Sequence, residues 1–418
     1  MVARPPVHAL QTNWVPELPF QRRTAAIMSK TTVSWKAVET FFPWGRFILS
    51  WTFPEAASEQ QDPPVVMATI VMEKIGRLFI NLQQVRQVPR MLTEVAPSMP
   101  GTLRDSEMPR FFRERHIHGG YRPLHQDWRY YFLSLFQRHN ETVNVWTHLL
   151  GALLVLLKAA QLAETVDFVR DAHAWPLLVL LLSSLGYTGC SATAHLLAAK
   201  SEFCHFAFFF LDYVGVAQYQ YGSAVAHFYY AVEEDWHRRV RGVFMPAAAL
   251  LCCLSCLGCC YGKYRNHSLP PWVRKVGQVV PSSLAYTWDT SPVFHRMLTC
   301  APGDPALPFH CGQVAFFLSS AFFFTQPLPE RWLPGRCDFL GQGHQLFHVL
   351  LVLCTLCQIQ ASHLDYVGRR ALYGRLHGDG EARFFLVLFV ATGLACASIA
   401  VFMARKVGRL LERRDRSK

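Results

Sequence analysis

The chain has 418 residues, of which 51% are hydrophobic and only 17% charged, with a formal net charge of +12. After residue 140 the apolar residues gather in long runs separated by short polar loops, which excludes a string of soluble domains for most of the chain. The basic excess is not interleaved with stacking aromatics in any soluble segment. It therefore argues for charge sorting across a membrane and against nucleic acid as a partner.

Residues 1–66 are rich in Pro and Trp and contain neither a spanning run nor a signal peptide with a cleavage site. The apolar stretch around Phe47–Phe53 is too short. This segment is expected to be disordered, or an extension ahead of a native start at Met67 or Met72. Residues 67–140 read as a cytoplasmic N-terminal region. Within it, residues 72–92 set Ile75, Leu78, Phe79 and Leu82 at helical spacing, predicting a short amphipathic helix on the cytosolic or membrane surface.

Eight apolar runs follow, at about 143–163, 175–198, 203–229, 242–261, 277–297, 311–327, 341–362 and 384–404, each long enough to cross a bilayer as a helix. The fold class is an all-α integral membrane protein, with a transmembrane bundle over 141–404 and a basic tail over 405–418. Basic residues precede the first run (Arg110, Arg113, Arg115, Arg122), follow the fourth (Lys263, Arg265) and crowd the tail (Arg409, Arg413, Arg414). The loops after the first run (Glu164, Asp167, Asp171) and the third (Glu233, Glu234, Asp235) are acidic. This alternation places both termini in the cytoplasm, as eight spans require. Arg369, Arg370 and Arg375 after the seventh run break the pattern. The acceptor patterns Asn140-Glu-Thr and Asn266-His-Ser fall on the cytoplasmic side, so neither is expected to carry a glycan.

Ionisable groups inside spans are functional candidates by default. The second run ends on Ser191-Ala-Thr-Ala-His195, the third opens on Phe-Phe-Leu-Asp212, and the seventh opens on Gly-His344-x3-His348. Ser191 and His195 share one helix face, as do His344 and His348. The loop charges set all of these at one depth, near the cytoplasmic ends of their helices. Three imidazoles beside a carboxylate suit Zn²⁺, with His195, His344 and His348 as ligands, Asp212 on the bound water and Ser191 orienting a ligand or that water. The alternative is a hydrogen-bonded His/Asp cluster that only fixes helix packing.

Asn144 and His148 are expected to make structural interhelical bonds, and Asp289 to pair with an Arg or a backbone group. Gln220 lies near mid-bilayer, where its amide could donate to a ketone of a lipophilic ligand or bond a neighbouring helix. Thirteen cysteines, mostly inside apolar runs, predict no essential disulfide. Cys259 and Cys260, at a membrane edge, are palmitoylation candidates, with simple apolar packing as the alternative.

The block Arg138-His-Asn140-Glu141-Thr-Val-Asn144-Val-Trp146-Thr-His148, then Ser191-x3-His195, Leu-Asp212-Tyr-Val-Gly and Gly-His344-x3-His348, resembles the progestin and adipoQ receptor family from about residue 108 onward. Tyr121-Arg-Pro-Leu-His and Pro329-Glu-Arg-Trp-Leu-Pro-Gly are similar to its membrane progestin receptor branch. The resemblance implies a seven-helix bundle of the adiponectin-receptor type with an added eighth helix, and a zinc site at the residues named above. It also implies a progestin steroid ligand at the plasma membrane and signalling through an inhibitory G protein, tied in some members to oocyte maturation. Membrane lipids are the surroundings and further partners. The same constellation resembles that of alkaline ceramidases, so a zinc-dependent lipid amide hydrolase is the second function, and a purely structural zinc the third.

Overall fold

The computed structural model describes residues 99–265, 270–299 and 303–417. The expectations for residues 1–66, the amphipathic stretch 72–92 and the acceptor pattern at Asn266 lie outside the described residues.

Each of the eight apolar runs is a helix: α1 (Thr142–Leu162), α2 (Trp175–Leu197), α3 (Glu202–Ala226), α4 (Phe244–Tyr264), α5 (Pro271–Thr299), α6 (Leu307–Thr325), α7 (Gly343–Gly368) and α8 (Asp379–Arg416). Six of them, all but α3 and α5, are long and apolar enough to cross a membrane. Those two fall short for a chemical reason. α3 carries Asp212, Gln218 and Gln220, while α5 carries Asp289 and two internal prolines, Pro281 and Pro292. The chain is an all-helical, multi-pass membrane protein.

Local signals set the helix starts. Pro176 occupies the first turn of α2, where its missing N–H costs no hydrogen bond. Ser201 caps α3 by accepting from the Cys204 N–H at 3.1 Å. Gln342 and Gln345 form a reciprocal capping box at the head of α7, which fixes the turn that presents His344. α3 ends in a π-helical turn, His227–Ala231.

α2 and α7 are the central helices, and about two-thirds of the apolar window of α7 is buried (67%). α6 and α8 are peripheral; α8 packs against α3 and α4. Small residues bring helices close. A Cβ at Gly151 of α1 would come 2.6 Å from Val352 of α7, and one at Gly222 of α3 would collide with Ser183 of α2.

The arginines that break the loop-charge pattern are neutralised. Arg369 bonds Glu233 at 2.7 Å, Arg370 bonds Asp171 at 2.6 Å, and Arg375 approaches Glu234 at 3.8 Å. The loops after α1, α3 and α7 thus meet on one side of the bundle, as an alternating eight-helix path demands. On the other side, Arg414 near the end of α8 pairs with Glu202 at the start of α3.

Residues 99–140 fold beneath the bundle as short 3₁₀ turns and one brief helix, Trp128–Leu133, and contribute structurally beyond the expected surface helix. Leu103 and Tyr121 pair as an antiparallel bridge. Gly120 adopts φ +82°, where a Cβ would meet the Asn140 N at 3.0 Å, so this turn needs glycine.

Candidate metal centre

His195 from the last turns of α2 and His344 and His348 from the first turns of α7 converge, with one ligand atom from each within 4.8 Å of the others. His195 and His348 are buried, at 3% and 1% exposure. The Nε2 atoms of His195 and His344 are 3.3 Å apart.

Hydrogen bonds made by the other ring nitrogens fix which atoms face inward. His195 Nδ1 donates to Glu141 Oε2 at 2.7 Å. Burial alone would push the Glu141 carboxyl up, but His195 beside it and the hydrogen bonds it accepts, one from Asn144 Nδ2 at 2.6 Å, hold it well below the usual carboxylate range. His348 Nδ1 faces the Asn144 carbonyl at 3.2 Å and the Thr147 hydroxyl at 3.1 Å; the carbonyl can only accept, so Nδ1 carries the proton. Both rings therefore turn an Nε2 lone pair toward the same point.

That donor set fits a divalent transition metal. In a tetrahedral zinc shell with Zn–N of about 2.0–2.1 Å, two nitrogen ligands stand about 3.3 Å apart. Carboxylate and carbonyl partners behind metal-binding imidazoles are what orient such ligands. Asp212 stands at one remove. It lies outside the converging trio and keeps one carboxylate oxygen, Oδ1, buried and unpartnered. The structure thus brings the three histidine candidates together, while Asp212 is not one of the converging ligands.

Several contributors were not singled out. Glu141 lies in a stretch read as a glycan acceptor, yet its carboxylate steers His195 across 54 positions of sequence. The neighbouring Asn140 is buried, leaving no exposed amide for a glycan. Arg122 reaches up from the N-terminal region and donates to the carbonyls of His195 and Leu196, closing the end of α2 that carries the first ligand. The signal for both was a charged residue just outside a span, which sequence alone reads as loop charge.

Other expectations need correction. His148 makes no interhelical hydrogen bond. Its ring stacks on His348 at 3.7 Å between centroids, and both of its nitrogens are buried without a partner. Asn144 bonds Glu141, one turn earlier in the chain, rather than a neighbouring helix through its side chain. Asp289 pairs with no Arg among the described residues; its carbonyl accepts from His227 Nδ1 at 3.0 Å while Oδ1 is unpartnered. Cys260 is fully buried in the core, which denies it the accessibility that acylation requires, and Cys259 is half-buried against Ser282 at 3.8 Å. Gln220 needs no such correction: its Nε2 makes a long 3.4 Å contact to the Ser282 carbonyl of the neighbouring α5, one of its two expected roles, and its Oε1 has no partner.

Residues 136–359 match the family described as haemolysin-III related. The chain is 59% identical to membrane progestin receptor alpha-B of Danio rerio, over 84% of this chain and all of the relative. It is 49% identical to human membrane progestin receptor alpha, over 82% of this chain and 99% of the relative. Human membrane progestin receptor beta is 45% identical, over 84% of this chain and all of the relative. The matched segment contains Glu141, Asp212 and all three converging histidines, and on this ground the chain belongs to the haemolysin-III-related family, the progestin and adipoQ receptor family that its motifs resemble.

Proposed function

We propose that this protein is a progestin receptor of the plasma membrane that carries one zinc ion at His195, His344 and His348. The observation that carries the ligand reading is 59% identity across the full length of a relative named as a membrane progestin receptor. The names of the relatives favour it over the lipid amide hydrolase.

His195 at the end of α2 and His344 and His348 at the start of α7 would hold the zinc, which would supply Lewis-acid chemistry in a buried shell. Glu141 holds the His195 ring, Asn144 and Thr147 hold the His348 ring, and Asp212 with Ser191 offers oxygen atoms to a polar group entering beside them. Gln220 supplies a polar anchor for the steroid. Its amide has an unpartnered Oε1 and only a weak contact at Nε2, so it is free to reorient and donate to a ketone. Signalling runs through an inhibitory G protein and lowers cAMP, with oocyte maturation as a process served. The basic loops and tail support a cytoplasmic side for both termini and the histidine centre.

The test is saturation binding of tritiated progesterone to membranes that contain the full chain. Saturable binding is expected, and Gln220→Leu should weaken it by up to about tenfold, the scale of one hydrogen bond. Absence of saturable binding in correctly inserted protein overturns the receptor reading. His348→Ala separates the roles: retained steroid binding after metal loss places the steroid away from the zinc.

A further inference from the structure

Between α6 and α7 the chain does not simply turn. Residues 326–342 form a loop docked on the N-terminal region: the Gly335 N–H donates to the His116 carbonyl at 3.1 Å, and the His118 N–H donates to Asp338 Oδ1 at 2.9 Å. Gly335, at φ +74°, packs against the His118 ring. Glu330 points inward and accepts from the Gly343 N–H at 2.8 Å, anchoring the loop to the head of α7.

A concave pocket of about 500 Å³ opens between these segments, lined by Arg115, His116, Gln326, Pro327 and Arg331. Both arginines are exposed, and neither makes an ion pair among the described residues. The one acid nearby in sequence on the loop side, Glu330, is spent on the α7 backbone. Two free guanidiniums facing one concavity call for an anion with several oxygens, and phosphate matches their planar donor geometry.

Position decides which phosphate. Gln326 directly follows the last residue of α6, a helix that crosses the membrane, so the pocket sits at headgroup level. Trp332, 72% exposed, and Leu333, 42% exposed, lie next to Arg331, as side chains do that dip into the interface. We propose that Arg115 and Arg331 form a binding site for the phosphate of an anionic phospholipid headgroup, with Trp332 and Leu333 inserted beside its acyl chains. The loop charges assign this side to the cytoplasm, whose leaflet carries the anionic lipids. This site is separate from the steroid and metal readings and does not depend on them.

The test uses native mass spectrometry of the full chain in detergent micelles doped with equal amounts of phosphatidylserine and phosphatidylcholine. Preferential phosphatidylserine adducts are expected. Arg115→Gln and Arg331→Gln should each lower their occupancy by about fivefold, and the double variant by about twenty-fivefold, with the phosphatidylcholine adducts unchanged. Equal adducts of the two lipids, or full selectivity in the double variant, overturns the proposal. So does complete displacement of phosphatidylserine by millimolar inorganic phosphate, which would mark a site for the free ion.

Discussion

Two polar clusters lie inside the same bundle and solve opposite problems. The histidine centre is at the start of α7; the second cluster is at its far end, about 25 Å away at 1.5 Å per residue from His348 to Asp365. There, Arg296 of α5 donates to Asp365 at 2.7 Å and to Asp304 at 3.0 Å, and His310 of α6 bonds the same Asp365 oxygen at 2.8 Å. Gln313 closes the other face of His310 at 2.8 Å. Positive and negative groups meet there, and the charged groups bond one another. At the histidine centre, nitrogen faces nitrogen, and the fixed protons on His195 and His348 leave lone pairs aimed at each other's neighbourhood. The first arrangement is complete with protein atoms alone. The second leaves the donors that the proposed zinc would use.

That difference sets the expected outcomes. The largest is at the paired cluster: Arg296→Met removes the guanidinium from buried Asp365, leaving it His310 alone, and from part-buried Asp304, and should cost about 3 kcal/mol in thermal unfolding of the detergent-solubilised protein. A chelator should leave that loss unchanged, whereas it should lower the melting temperature of the parent protein and have no effect on His348→Ala. A chelator-insensitive parent would erase the distinction between the clusters.

Next is Glu141→Gln, which keeps the shape but removes the negative charge behind His195. Zinc affinity measured against a competing chelator should fall roughly 10–100-fold. An unchanged affinity would reduce Glu141 to a packing residue. Arg122→Ala follows: it unpairs the carbonyls at the end of α2 and should destabilise by about 1–3 kcal/mol, with partial rescue in Arg122→Lys.

The smallest effect is a pH dependence outside the spans. Burial first, and then the nearby Arg122 charge, push His139 down to about 3. Its ring is neutral in the fold, with Nε2 donating to the Ser134 carbonyl at 3.1 Å and Nδ1 accepting from the Glu141 N–H at 3.1 Å. The unfolded chain binds the proton near pH 6.5 and the folded one does not. Stability from this group is therefore complete above pH 6.5 and declines as pH falls toward 3, by about 1 kcal/mol between pH 7 and 5.5. The slope of unfolding free energy against pH should be shallower in His139→Gln; an equal slope would contradict this assignment.

Much of this was legible in residue order alone. His344 and His348 one turn apart, with His195 and Asp212 at helix ends of matching depth, were readable because helical period and loop charge are both local properties. The eight helices followed from apolar length. Other features were hidden because they depend on which segments meet. Glu141 and Arg122 act through partners 54 and 73 residues away, and nothing near them in sequence announces the match. Arg369, Arg370 and Arg375 looked like misplaced positive charge until acids from two other loops came beside them. His148 has the spacing of a bonding group, yet its ring stacks, because α1 and α7 approach closely at Gly151.

The central claim is that the lone pairs of three imidazoles on α2 and α7 are aimed at one cation. Elemental analysis of purified, monodisperse full-length protein tests it most directly. One zinc per chain is the predicted result, falling to background in His195→Ala. Folded protein that binds progesterone and carries no stoichiometric transition metal would contradict it.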